Sequence, residues 1–207
     1  MARGLQDSWT RRRQLLADAE ARLSVLSRAK HKARWLWPDL PTEAALKERA
    51  PRSLRLHEKT EWVRQQLDDL EDARLEALHA VLRGNRELHA AFSDGELKLF
   101  SGGQMVLSKI YLDGPQGKLA EAYWRFLILS RTSRDAKGFA SALRRVPNGP
   151  ELPAARQFVE RTSDLTAETE AIRGSEKRMN ERLYELYGLS TAERQLVETD
   201  CARRAIL

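Results

Sequence analysis

The chain has 207 residues, 42% apolar and 32% charged, with a formal net charge of +6 and a sequence pI near 9.7. That length allows one domain or two small ones, and the Arg-, Glu-, Leu- and Ala-rich mixture favours long surface helices over sheets. The lone cysteine, Cys201, excludes an internal disulfide and points to a cytoplasmic chain; no apolar run approaches the roughly 18 residues of a membrane span, so no membrane partner is expected.

In chain order, a first helix is predicted from about Ser8 to Ala33. Leu16, Ala19, Leu23 and Leu26 recur at spacings of three and four on one face. "RWLWPDLPTE" (Arg34–Glu43) breaks it, because Pro38 and Pro41 push the residues before them out of the helical region. Thr42 is placed to cap a short helix through about Arg49, which Pro51 stops. A second long helix is predicted from near Ser53 to about Ala91, with a stripe of Val63, Leu67, Leu70, Leu78 and Val81 and a weak point at Gly84-Asn85. Two long helices joined by a proline-rich turn imply an antiparallel hairpin.

Ser93–Gly117 holds five of the eleven glycines. Leu97 and Leu99 alternate with polar residues, as do Val106 and Ser108 leading into Ile110 and Leu112. With Ser101-Gly102-Gly103 between the runs, this predicts a β-hairpin. Helices resume at about Gln116–Arg131 and Arg134–Arg145, before the proline-rich linker Arg144–Pro153.

A third long helix, about Ala154–Tyr187, carries Phe158, Thr162, Leu165, Thr169, Ile172, Glu176, Met179, Leu183 and Leu186 at alternating spacings of four and three. That is a heptad seam, which calls for a partner helix inside this chain, in a second copy (a homodimer) or in another protein. Leu165, Ile172, Met179, Leu183, Tyr184, Leu186 and Tyr187 are the candidate partner-docking residues. Gly188 suits a left-handed helix stop with Leu189 packing back, and Ser190 and Glu193 form a capping box for a last helix. The expected fold is mainly α: long antiparallel helices in a hairpin or coiled-coil-like bundle with one small inserted β-hairpin. Its segments are residues 1–92, a basic helical hairpin; 93–117, the β-hairpin insertion; and 118–207, a C-terminal helical region.

The charge is uneven, since the first sixty residues carry the whole positive surplus. Arg11, Arg12 and Arg13, and then Arg28, Lys30, Lys32 and Arg34 around Trp35 and Trp37, place cations at both ends of the first predicted helix. Such cations neutralise phosphates, and an indole stacks on an exposed base or wedges a groove. The competing structural assignment buries the tryptophans between helices and leaves the arginines solvated. Arg144 and Arg145 form a second basic candidate. Catalytic patterns are weak. "DGELK" offers Asp94, Glu96 and Lys98 on one strand, whereas metal-dependent nucleases draw the Asp from elsewhere. His31, His57, His79 and His89 form no metal-binding pair, and no G-x-S-x-G motif is present.

The joint "LYELYGLS" (Leu183–Ser190), preceded by Asn180 and followed by Glu193 and Leu196-Val197-Glu198, resembles the C-terminal tail of class I N6-adenine DNA methyltransferases, including type IIG restriction–modification enzymes and related phage-defence methylases. "GFASALRRVPNGP" (Gly138–Pro150) is similar to the segment that follows the target-recognition region in that family, through Phe139, Leu143, Arg144, Arg145, Val146 and Pro147. Arg182, Arg194 and Asn148 depart from the family pattern. The chain has no Pro-Pro pair for a [DNS]-P-P-[YFW] motif and no strand–loop–helix repeat to hold S-adenosylmethionine, so it cannot be a catalytic domain of that family. The resemblance implies a non-catalytic, cofactor-free accessory or target-recognition module that contacts duplex DNA and docks on a methyltransferase or restriction subunit. The alternative is a helical protein–protein adaptor without a DNA role, and a metal-dependent nuclease ranks third.

Overall fold

The computed structural model describes residues 2–29, 31, 33–83, 87–130 and 135–204. In chain order the elements are α1 (Ala2–Ser24), a 3₁₀ turn (Ala33–Leu36), α2 (Glu43–Arg49), α3 (Leu56–Arg83), β1 (Leu88–Ser93), β2 (Glu96–Ser101), β3 (Gln104–Tyr111), α4 (Gly114–Ser130), α5 (Ala136–Leu143), α6 (Pro153–Leu186) and α7 (Thr191–Arg204). The fold is mainly α, with one small antiparallel sheet. Two compact units divide the chain: Met1–Val25 with Pro153–Leu207, and Leu26–Leu152.

In the first unit α1 packs along α6, the two helices antiparallel. Arg12 on α1 reaches Thr169 at 3.1 Å, while Gly4 and Ser8, nearer the start of α1, meet Ser175 and Met179, nearer the end of α6. The heptad seam is therefore used within the chain: Phe158, Thr162, Leu165, Thr169 and Ile172 are buried, as are Ala19 and Leu23 of α1. α1 ends at Ser24, well short of Ala33; beyond it Ala29 and His31 donate their N–H groups across to the carbonyls of Val146 and Arg144 and not back along a helix. The end of α6 follows its sequence signals. Gly188 has φ +62°, its N–H donates to Glu185 at 3.1 Å, and the Leu189 N–H donates to Tyr184 at 2.9 Å, which is a Schellman stop. The Ser190 N–H donates to the Glu193 carboxylate at 2.8 Å and the Ser190 hydroxyl accepts the Glu193 N–H at 3.4 Å, completing the capping box that opens α7.

The second unit is built on α4, whose Leu119, Ala120, Tyr123, Trp124, Phe126 and Leu127 are buried. The helix predicted to reach Ala91 ends at Arg83, and Leu88–Ser93 is a strand. Asp94 (φ +54°) and Gly95 (φ +77°) make a two-residue turn, which pairs Ser93 with Glu96 and Leu88 with Ser101. Gly102 (φ +53°) and Gly103 (φ +81°) make the next one. Turns with two positive-φ residues match the twist of antiparallel strands, so the β element is a three-stranded meander, β1-β2-β3, and not the single hairpin expected over Ser93–Gly117. A bulge in β3 gives Lys109 φ +62°, and the Glu96 carboxylate accepts its N–H. On α4, Gly117 faces the ring of Phe92 so closely that a Cβ would overlap it. That missing methyl lets β1 lie against α4.

Candidate nucleic-acid interface

Two basic segments far apart in the sequence meet as a short ladder in the second unit. The Asn148 N–H donates to the Ser27 carbonyl at 3.0 Å, the Ala29 N–H to Val146 at 3.2 Å, and the His31 N–H to Arg144 at 3.2 Å. Arg28 and Pro147 sit opposite each other in this antiparallel bridge. Arg28, Arg34, Arg144 and Arg145 therefore belong to one hydrogen-bonded seam or its immediate flank. Lys30 and Lys32, expected in the same cluster, lie outside the described residues.

α4 and α5 hold the seam in place. Asp135 caps α5 by accepting the Gly138 N–H at 2.7 Å. At the other end of α5 the Tyr123 hydroxyl donates to Ala142 at 2.9 Å and the Trp124 indole N–H to Leu143 at 3.1 Å. The indole bond satisfies the Leu143 carbonyl at the helix end, and the phenol adds a second donor to the Ala142 carbonyl, which already accepts the Arg145 N–H. The Gln116 side chain donates to Pro147 at 2.8 Å, so the segment Leu143–Pro147 is tied to α4 on both sides of Arg145.

The cations differ in how much is already neutralised. Arg144 approaches Glu71 of α3 at 3.6 Å and is mostly buried. Arg34 approaches Glu43 at 3.8 Å. Arg28 and Arg145 are exposed, and no carboxylate among the described residues pairs with either. Burial raises the Tyr123 phenol above its ordinary 10.0, while the positive charges of Arg28 and Arg145 pull it the other way. Burial also lowers the His31 imidazole from its ordinary 6.5, favouring the neutral ring.

The tryptophans follow the packing assignment. Trp37 is 4% exposed. Trp35 is half-buried, stacked on His31 with centroids 4.4 Å apart and set edge-on to Trp124 at 5.9 Å. Trp37 has no open stacking face, and His31 already occupies one face of Trp35. The triplet Arg11–Arg13 belongs to the first unit: Arg11 lies 3.5 Å from Glu168, Arg12 bonds Thr169 and lies over the Trp9 ring, and Arg13 is exposed.

Of the candidate docking residues, Leu165 and Ile172 are 0% and 2% exposed and already covered, and Tyr184 is also buried, beneath the guanidinium of Arg194. Met179 and Leu183 are exposed, and Leu186 and Tyr187 more so. Leu196 and Val197 of α7 add to this set; sequence inspection missed them because α7 has no regular apolar stripe. Around "DGELK", Asp94 forms a turn, and Glu96 holds Lys98 at 3.0 Å as well as the Lys109 N–H. No group of three or more His, Cys, Asp or Glu able to hold a metal occurs among the described residues, and no described helix is long and apolar enough to cross a membrane.

Comparison with family models, curated proteins and solved structures finds no match to this chain.

Proposed function

We propose that this chain is a non-catalytic nucleic-acid-binding module that holds the phosphate backbone of duplex DNA on the Arg28–Arg145 seam. The observation that carries the proposal is the backbone ladder joining Ser27–His31 to Arg144–Asn148. It sets two exposed, uncompensated arginines on a braced edge, and a preorganised pair of cations loses less entropy on meeting phosphates than two mobile ones. With Trp37 buried and Trp35 stacked on His31, recognition is by charge and shape. The sequence resemblance of Gly138–Pro150 and Leu183–Glu198 supports a place in a cytoplasmic DNA-modification or phage-defence system, as an accessory or target-recognition part docked on a methyltransferase or restriction subunit. In this reading α1 and α6 form a coiled-coil-like arm, and its exposed end, at Leu183, Leu186 and Tyr187, meets that partner.

The test is binding to a fluorescent duplex at two salt concentrations. Affinity falls steeply with salt for the wild-type chain, and Arg28→Ala with Arg145→Ala flattens the log–log slope by about 1 to 2. Arg11/Arg12/Arg13→Ala gives a smaller change, since two of those side chains are engaged by α6. Absence of binding at low salt, or a slope unchanged by the Arg28/Arg145 pair, removes the seam as the site.

A second reading, a helical adaptor that binds only protein, rests on the exposure of Leu186 (77%) and Tyr187 (73%). It is favoured if a pulldown recovers a partner that Leu186→Lys abolishes while DNA neither binds nor competes.

A further inference from the structure

Between α3 and the β2–β3 end of the sheet lies a cleft of about 460 Å³, within the roughly 300–1,000 Å³ of small-molecule sites. Arg74, Ala77, Leu78 and Val81 form one wall; their i, i+3, i+4, i+7 spacing makes them a single helix face. Trp37 closes another side, and Ser101 lines the cleft from the sheet. Ser101 is 2% exposed, yet its hydroxyl has no hydrogen-bond partner. Buried hydroxyls are almost always partnered, so such an exception calls for an explanation. Arg74 shares one amino group with Asp39 at 2.8 Å, and a guanidinium carries five N–H donors, so it brings further donors to the cleft.

We propose that this cleft binds a small amphipathic carboxylate. Its apolar body packs on Trp37, Leu78 and Val81, and its carboxylate accepts the Ser101 hydroxyl proton in the field of Arg74. A carboxylate suits both polar groups, since it is an acceptor for the hydroxyl and for the guanidinium N–H donors that Asp39 does not use. The small side chain of Ala77 leaves the space that the apolar body occupies. The site shares no residue with the Arg28–Arg145 seam, so it stands or falls independently of DNA binding.

The experiment titrates the ¹⁵N-labelled full chain with sodium octanoate and, separately, with 1-octanol, following backbone amide shifts. Saturable shifts confined to residues 74–81 and 101–107 are expected, with octanoate binding about tenfold more tightly than octanol. Ser101→Ala weakens octanoate binding by about tenfold. Ala77→Trp, at an exposed helix position, fills the cleft and abolishes the shifts while the spectrum stays that of the folded chain. Absence of saturation, shifts scattered over the molecule, or binding indifferent to both variants overturns the site. Octanol binding as tightly as octanoate overturns the assignment of a carboxylate.

Discussion

The backbone N–H of His31 donates to the carbonyl of Arg144 at 3.2 Å, and this bond converts two separate basic clusters into one edge. Without it, and its companions at Ala29 and Asn148, Arg28 and Arg145 would belong to unrelated loops. The seam depends on backbone donors that no charge-based inspection of the sequence registers.

Ala29→Pro tests that dependence directly. It deletes the N–H that donates to Val146 and alters no charge. The substitution is expected to destabilise the unit by about 1–3 kcal/mol and to lower duplex affinity by roughly tenfold. Anisotropy at low salt reads the affinity, and urea unfolding reads the stability. Undiminished affinity in a folded variant means that the arginines act without the ladder.

Thr162 of α6 is 0% exposed, and its hydroxyl has no partner. Thr162→Val replaces that hydroxyl with a methyl of nearly the same shape, so the desolvation cost disappears and packing is kept. Urea unfolding should show a stability gain of about 1 kcal/mol. A loss of stability would show that the hydroxyl is satisfied in solution.

Gly117→Ala is expected to act in the opposite direction. The added methyl meets the Phe92 ring, so β1 must move away from α4 or Phe92 must leave its rotamer. A loss of about 1–3 kcal/mol follows, although alanine is the better helix former. Pairing it with Phe92→Ala should recover part of that loss in a double-mutant cycle, and strict additivity would break the proposed link.

Glu96 supplies a pH dependence. The Lys109 N–H, then the Lys98 side chain, hold its carboxyl below the ordinary 4.5. A carboxylate with a lowered folded-state pKa contributes stability that is present above its unfolded value and lost as pH falls through the folded value. Wild type should therefore melt higher than Glu96→Gln at pH 7, with the gap closing only below about pH 4.5. A gap of constant size from pH 7 to pH 3 would show that the ionised carboxylate has no part in holding the β3 bulge.

Local chemistry was legible wherever it is sufficient by itself. Thr42 accepts the Ala45 N–H and starts α2 as expected, Gly188 stops α6, and Ser190 with Glu193 opens α7. The strand β1 was hidden because "LHAAF" has no strand alternation and two alanines favour helix; Asp94-Gly95, a two-residue turn signal, was the clue in view. Leu165 and Ile172 were legible as a seam, while the identity of the partner helix was not. A heptad states that a helix will be covered but not by what, and here α1 covers it.

The sequence alone determined the mainly helical character, the boundaries set by prolines, glycines and caps, and the basic surplus of the first sixty residues, because each depends on neighbours within a few positions. Only the tertiary structure decided that α1 pairs with α6, that Trp37 packs inward and Trp35 stacks on His31, and that the segments carrying Arg28 and Arg145 pair. Those outcomes follow from long-range burial and from the need to satisfy every backbone donor at a helix end or strand, and contacts between residues a hundred positions apart leave no local pattern to read.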